Sequence, residues 1–328
     1  MKPTLWAGLL GIVVVLFATS LLVGSAALDP ATSLRGLVGQ GDDAAAITMR
    51  EIRLPRAILG VLVGASLALS GAALQGFLRN PLAEPGVIGV SSSASLGAVV
   101  VFYSGVAGVS VFALPAGALL GALVAVVVLL VIASGNTTTL TLILAGVGLS
   151  SLAAAFTALA LNLSPNPFAS YEIIFWLLGS LKDRSMAHVW VCLPLMAVGT
   201  LLILACGSAL DALSLGEESA ASLGIDVART RLMLVGGVAL CVGAGTSVTG
   251  AIGFVGLVVP HLIRPLTDCM PGRLLLPSAL GGAALLLAAD IVARLPWFGN
   301  ELNVGVLTAL IGAPFFLWLV IRSRREGF

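Results

Sequence analysis

Ten apolar segments divide this chain of 328 residues, and together they hold only two of its 31 charged side chains, Arg264 and Asp290. They run over 5–24, 57–78, 87–104, 111–133, 140–162, 189–207, 232–250, 252–267, 274–293 and 304–321. A helix needs about 20 apolar residues to cross roughly 30 Å of hydrocarbon. A charge at the bilayer centre costs about 2.5–3.5 kcal/mol, which accounts for the emptiness of these segments. The segment 252–267 is short and holds Pro260, and the alternative to two spans here is that it and 232–250 form one broken segment. The first segment has Lys2 ahead of it and Gly24-Ser25-Ala26-Ala27 behind, as a signal peptide would. Its apolar run is longer than the usual signal core of roughly 7–15 residues, and it is read as a membrane helix.

The composition supports the same class. Hydrophobic residues make up 59% of the chain and charged residues 9%, against roughly a quarter charged in soluble domains. This excludes a soluble enzyme, a disordered chain and a nucleic-acid binder. Four cysteines are too sparse for a disulfide scaffold. The expected architecture is an all-α polytopic membrane protein of about ten helices, with residues 1–328 forming a single transmembrane domain.

An even number of spans puts both ends on one side. With the ends inside, the inner cations are Lys2, Arg79, Arg229, Arg231, Arg264, Arg273, Arg322, Arg324 and Arg325, nine in all. The outer seven are Arg35, Arg50, Arg53, Arg56, Lys182, Arg184 and Arg294. The bias is small but has the positive-inside sign.

Catalytic signatures are missing. The only lysines are Lys2 and Lys182, and neither follows a glycine, so no P-loop exists to bind ATP. His188 and His261 are the only histidines and form no His-Glu-x-x-His. His188, at a span edge, reads as an interfacial polar residue. Cys192, Cys206, Cys241 and Cys269 show no Cys-x-x-Cys pairing and are each expected to be buried as small apolar residues. Glu84, His261 and Asp290 near membrane edges are the only motive for an intramembrane enzyme. A passive channel lacks its ring of polar residues.

Three segments carry more pattern. Arg53-Leu54-Pro55-Arg56 leads through Ser70-Gly71-Ala72-Ala73-Leu74-Gln75 to Arg79-Asn80-Pro81-Leu82-Ala83-Glu84-Pro85-Gly86. Its prolines predict a tight turn at 79–86 with Asn80 and Glu84 at the membrane edge. Gly250, Gly253 and Gly256 recur at three-residue spacing, which predicts one helix face, with Pro260 interrupting that helix. Residues 208–231 are the most polar internal stretch. Within it Ser214 or Gly216 starts a short helix with acids in its first turn, Gly224 caps its end, and Ala220, Leu223 and Gly224 share a face. The patch 173–178 is expected to form a short helix lying on the membrane surface.

These pieces together resemble the FecCD-type permeases of ATP-binding-cassette importers, the family that takes up iron(III)–siderophore complexes, haem and vitamin B12. Further matching stretches are 253–264, Ala288-Asp290-Arg294 and Gly305-Val306-Leu307-Thr308-Ala309-Leu310-Ile311-Gly312-Ala313-Pro314. The resemblance implies the type II importer permease fold in the bacterial inner membrane, and a transport subunit rather than an enzyme. It implies pairing with a second permease copy or a close paralogue, two separate ATPase subunits that use ATP and Mg²⁺, and a periplasmic substrate-binding protein. No cofactor is expected on this chain. The segment 208–231 matches the cytoplasmic coupling segment, with Leu213, Leu215, Gly216, Glu217, Ala220, Leu223 and Gly224 as the ATPase-coupling residues. Asn80 and Leu82 match the cytoplasmic gate, and Thr138 and Thr139 are placed as its partners. Arg53, Arg56 and Arg294 match the arginines that dock the binding protein. For Arg294 the bland alternative is an exposed i, i+4 pair with Asp290, worth about 0.3–0.5 kcal/mol. The expected cargo is an iron(III)–siderophore chelate, with vitamin B12 or haem as alternatives.

Overall fold

The computed structural model describes residues 3–24, 29–37, 44–108, 110, 112–134, 139–164, 167–295 and 301–325. Its α-helices are α1 (Pro3–Leu22), α2 (Pro30–Leu37), α3 (Ala44–Ile47), α4 (Leu54–Phe77), α5 (Val90–Tyr103), α6 (Ala113–Ser134), α7 (Thr139–Asn162) and α8 (Pro167–Leu177). The second half continues with α9 (Met186–Ala205), α10 (Gly207–Leu213), α11 (Glu217–Ser222), α12 (Val227–Thr249), α13 (Val255–Ile263), α14 (Pro271–Ala293) and α15 (Val304–Arg325). A π-helical turn, Thr48–Arg53, joins α3 to α4 without a break in the helix. No strand occurs among the described residues.

Each of the ten apolar segments contains a helix, but among the described residues eight helices are long and apolar enough to cross a membrane. The two short ones are α5, of 14 residues, and α13, of 9. Every backbone polar group in lipid must be satisfied internally, so non-helical backbone at that depth has to be enclosed by protein. Here α5 and α13 pack against the two most deeply buried helices, α4 and α12. Around that centre, α1, α6, α7, α9 and α15 turn large apolar side chains outward. Val15 and Leu310 are each 64% exposed and Leu201 68%.

The break falls at 250–254, not at Pro260. Gly250 (φ 73°) ends α12, and Phe254 (φ 67°) opens α13. Gly250, Gly253 and Gly256 therefore do not share a helix face. Pro260 sits inside α13. Its missing N–H leaves the Gly256 carbonyl without the usual i→i−4 donor, and the Gln75 side-chain amide donates to that oxygen instead, at 3.3 Å.

Glycine lets the inner helices meet backbone to backbone. A Cβ on Gly71 of α4 would collide with the Gly256 carbonyl of α13. One on Gly148 of α7 would meet nothing within 4 Å. Gly71→Ala is accordingly expected to destabilise the protein by about 1–3 kcal/mol through overpacking, and Gly148→Ala to be neutral. Thermal unfolding of the two purified variants checks the contrast, and equal melting temperatures would contradict it.

One cysteine expectation needs correction. Cys192, Cys206 and Cys241 are buried, but Cys269 is exposed, because it lies in the turn before α14 rather than inside a helix. His188 lies in the first turn of α9, at the span edge, and is buried, at 4% exposed. Its Nδ1 accepts the Ser185 N–H at 3.2 Å, closing a capping box at the start of α9. The patch 173–178 is helical except at its end, within α8, and shows Tyr171 and Phe175 outward while Ile173 is buried.

Candidate functional site: a coupling segment, an inner turn and an outer arginine cluster

The segment expected to couple to the ATPase lies between α9 and α12. It begins with α10, which packs against α14 and α4. The Asp211 carboxylate accepts the Gly272 N–H at 2.7 Å and so caps the first turn of α14. Leu213 is 2% exposed and ends α10. Gly216, at φ 108°, turns the chain into α11, which starts with Glu217 and Glu218. Acids there face the positive end of the short helix.

Gly224 ends α11 as the sequence implies. It stands at φ 84°. The Ile225 N–H reaches the Ala220 carbonyl at 3.1 Å, and the Gly224 N–H reaches Ala221 at 2.9 Å. These two bonds are a Schellman closure, which needs a left-handed residue between them. The residues expected to share a face of α11 differ in exposure. Ala220 is fully buried, while Leu223 is 64% exposed. Leu223 still donates to the Ser219 carbonyl at 3.1 Å and so stays on the helical path; the small Ala220 is covered by its neighbours while the larger Leu223 projects outward. Leu215, on the other side of α11, is 68% exposed. The outcome is a short, pinned helix flanked by two exposed leucines. Asp226 caps α12 by accepting the Arg229 N–H at 2.9 Å, and Glu217 lies 4.0 Å from Arg231.

The inner turn follows α4. The Asn80 side-chain oxygen accepts the Leu82 N–H at 2.9 Å, an Asx turn that fixes the corner. Asn80 is exposed and Leu82 half-buried. Thr138 lies outside the described residues. Thr139 opens α7, and its side chain is also outside them. Glu84 turns inward, and its carboxylate accepts the Phe254 N–H at the head of α13. Burial pushes the Glu84 carboxyl above its ordinary value, and the Phe254 N–H pulls it back. The reach of Glu84 to residue 254 is not readable from the turn itself.

At the other end of α4 the three arginines converge. Arg53, Arg56 and Arg294 are 3%, 8% and 5% exposed, and Asp290 is fully buried between two of them. Arg56 Nε donates to both oxygens of Asp290, at 2.9 and 3.2 Å, and its Nη1 lies 3.4 Å from Glu301. Arg294 pairs with the same carboxylate and donates to the Ser20 and Val23 carbonyls at 2.6 and 3.0 Å. Arg53 donates to the carbonyls of Leu21 and Leu22 at 2.9 and 3.0 Å. The last carbonyls of α1 have no partner within their own helix, and cations there also meet the negative end of its dipole. The cluster thus ties α1, α4 and α14 together. The i, i+4 pair of Asp290 and Arg294 exists but is buried, so the worth of an exposed pair does not apply to it.

Two cavities adjoin the turn that follows α4. One of about 340 Å³ sits on the inner side between Gln75, Arg79, Asn80, Ser214, Arg264 and Cys269. One of about 240 Å³ lies between Glu84, Ser91, Ser92 and the 251–254 stretch. Among the described residues no group of three or more His, Cys, Asp or Glu side chains is placed to hold a metal ion.

Fold and site together define a multi-pass permease of the cytoplasmic (inner) membrane. Residues 12–322 match the FecCD transport family, and the chain belongs to it. It is 44% identical over 281 residues to the cobalamin import system permease protein BtuC of Halobacterium salinarum, covering 85% of this chain and 74% of that one. It is 42% identical over 317 residues to the vitamin B12 import system permease protein BtuC of Vibrio cholerae, covering 96% and 93%. Among solved structures it is similar to a metal-chelate type ABC transporter in an inward-facing conformation. That match has a TM-score of 0.86 and 32% identity and covers 98% of this chain and all of the other. Membership makes the chain the permease part of an ABC importer, which works with an ATPase and a substrate-binding partner.

Proposed function

We propose that this chain carries a corrinoid of the vitamin B12 type across the cytoplasmic membrane. The observation that supports this most is its 44% and 42% identity to two cobalamin permeases. An iron(III) chelate is the second reading, favoured by the metal-chelate transporter at TM-score 0.86. Two copies would pair around a central pathway, and two ATPase subunits would bind and hydrolyse ATP with Mg²⁺ beneath them.

In this reading the binding protein seats on the outer end, where the arginine cluster holds the ends of α1, α4 and α14 in register. The cargo passes between the paired bundles without chemical change. The turn bearing Asn80 and Leu82, with the 138–139 region beside it, closes the inner side. Closure of the ATPase dimer pushes α11, and α10 passes the displacement to α14 through Asp211. An alternating-access cycle needs two global states that the nucleotide binds differently.

The cargo is tested by uptake into proteoliposomes holding the permease, its ATPase and its binding protein. Labelled cobalamin, ferric siderophore and haem are each supplied with ATP inside. ATP-dependent accumulation of cobalamin alone is the expected result. Accumulation of the ferric siderophore without cobalamin would replace the first reading by the second.

A further inference from the structure

We propose that Gln75 and Glu84 clasp the inner turn to α13, so that the turn and this half-helix travel as one body when the pathway switches. The proposal rests on the gate assignment of the turn given above.

Four observations meet here. Gln75 is 2% exposed at the inner end of α4. Its amide nitrogen donates to Ala83 in the turn and to Gly256 and Leu257 in α13, each at 3.3 Å. Its oxygen accepts Arg264 Nη2 at 2.7 Å, just beyond the other end of α13. One side chain therefore bridges the turn and both ends of the half-helix. Glu84 adds the second bridge, from the turn to the Phe254 N–H.

Packing removes the slack between these parts. A Cβ on Gly256 would lie 2.6 Å from the Pro85 ring and 2.8 Å from the Leu67 carbonyl. The link from α13 back to α12 is different in kind. Residues 251–253 are not helical, and the backbone on either side stands at positive φ, at Gly250 and at Phe254. A non-helical link absorbs a change of angle more readily than a helix does. Hydrogen bonds that join α13 to the turn in a low dielectric resist separation. The covalent neighbour is thus the loose joint, and the turn is the firm one.

Pro260 makes the clasp necessary. It leaves the Gly256 carbonyl without its helical donor, and an unpaired buried carbonyl is costly. Gln75 supplies the donor from the neighbouring helix. Moving α13 away from α4 would expose that deficit again, and the turn is held to the same amide through the Ala83 carbonyl.

The test uses the full permease–ATPase complex in a Cys269→Ser background, since Cys269 is the exposed thiol. Spin labels go on Gly86→Cys, where an added Cβ meets nothing within 4 Å. They also go on Leu262→Cys of α13 and Leu201→Cys of α9, which are 56% and 68% exposed in the native protein. Distances are measured without nucleotide and with trapped ATP. The 86–201 and 262–201 distances are expected to change together while 86–262 stays constant. Glu84→Ala is expected to broaden 86–262 and to lower uptake per ATP hydrolysed by about ten-fold or more, the scale of losing a charged hydrogen bond. Glu84→Gln, which keeps an acceptor oxygen, should restore most of it. A plain structural staple would change stability and leave that ratio alone.

A wild-type 86–262 distance that changes with nucleotide overturns the clasp while leaving the gate in place. A turn that never moves relative to α9 removes the gate assignment and the clasp with it. If Glu84→Ala does not assemble, the wild-type distances and the Glu84→Gln ratio decide.

Discussion

Asp290→Ala is expected to cost about 3–5 kcal/mol of stability, the usual penalty for stripping one partner from a buried ion pair. The side chain has no exposed surface and receives Arg56 and Arg294 together. Without it two buried guanidiniums lose their carboxylate at the junction of α4 and α14. Arg294 would still hold the Ser20 and Val23 carbonyls, but Arg56 would keep only the longer contact to Glu301. Combining Asp290→Ala with Arg56→Met should therefore recover part of the loss. Thermal unfolding of the purified variants in detergent measures both effects. A single variant within about 1 kcal/mol of the native protein would show that the cluster does not hold the outer ends together.

The second large effect is expected in coupling. Gly224→Val should lower ATP-driven uptake by about ten-fold or more while leaving the bundle folded. A β-branched residue at φ 84° is strained, with a left-handed conformation costing roughly 1–2 kcal/mol. The Schellman closure that fixes the end of α11 would open, and exposed Leu223 would lose its position. The helix is short and stands at the edge of the structure, so the damage stays local. Charge reversal at Glu217, 4.0 Å from Arg231, should act in the same direction and more weakly. The measurement is the ratio of uptake to ATP hydrolysis in proteoliposomes. Variants that keep the native ratio would remove α11 from the coupling path.

The membrane fold was legible because its signal needs no tertiary information. Uninterrupted apolar runs announce spans whatever packs beside them. Gly224 was legible too, since a glycine after a short polar helix has few other uses. The division at 251 was legible as a boundary between apolar segments, but the positive-φ link across it was not. Glycines three apart look like a helix face, and a proline looks like the interruption, yet Pro260 is tolerated because Gln75 serves the carbonyl it leaves open. The pairing of Arg56 with Asp290 spans 234 positions, and only the fold brings them together. The burial of the three arginines, which the resemblance gives as docking residues, was not legible for the same reason. Sequence spacing shows Arg294 beside Asp290 but not the α1 carbonyls that bury it. The opposite exposures of Ala220 and Leu223 were not legible because they depend on what packs beside α11, not on helical spacing.

The central claim is that this chain is a conduit whose ATP-hydrolysing part is a separate subunit, gripped at α11. Cysteine placed at Leu223, in the Cys269→Ser background, tests it directly in membranes that also contain the cognate ATPase. A bifunctional thiol reagent should join the two polypeptides there, with a yield that changes on ATP binding, and uptake should require both. Cargo uptake by the permease without the ATPase, and no adduct at residue 223 under any nucleotide condition, would contradict the account.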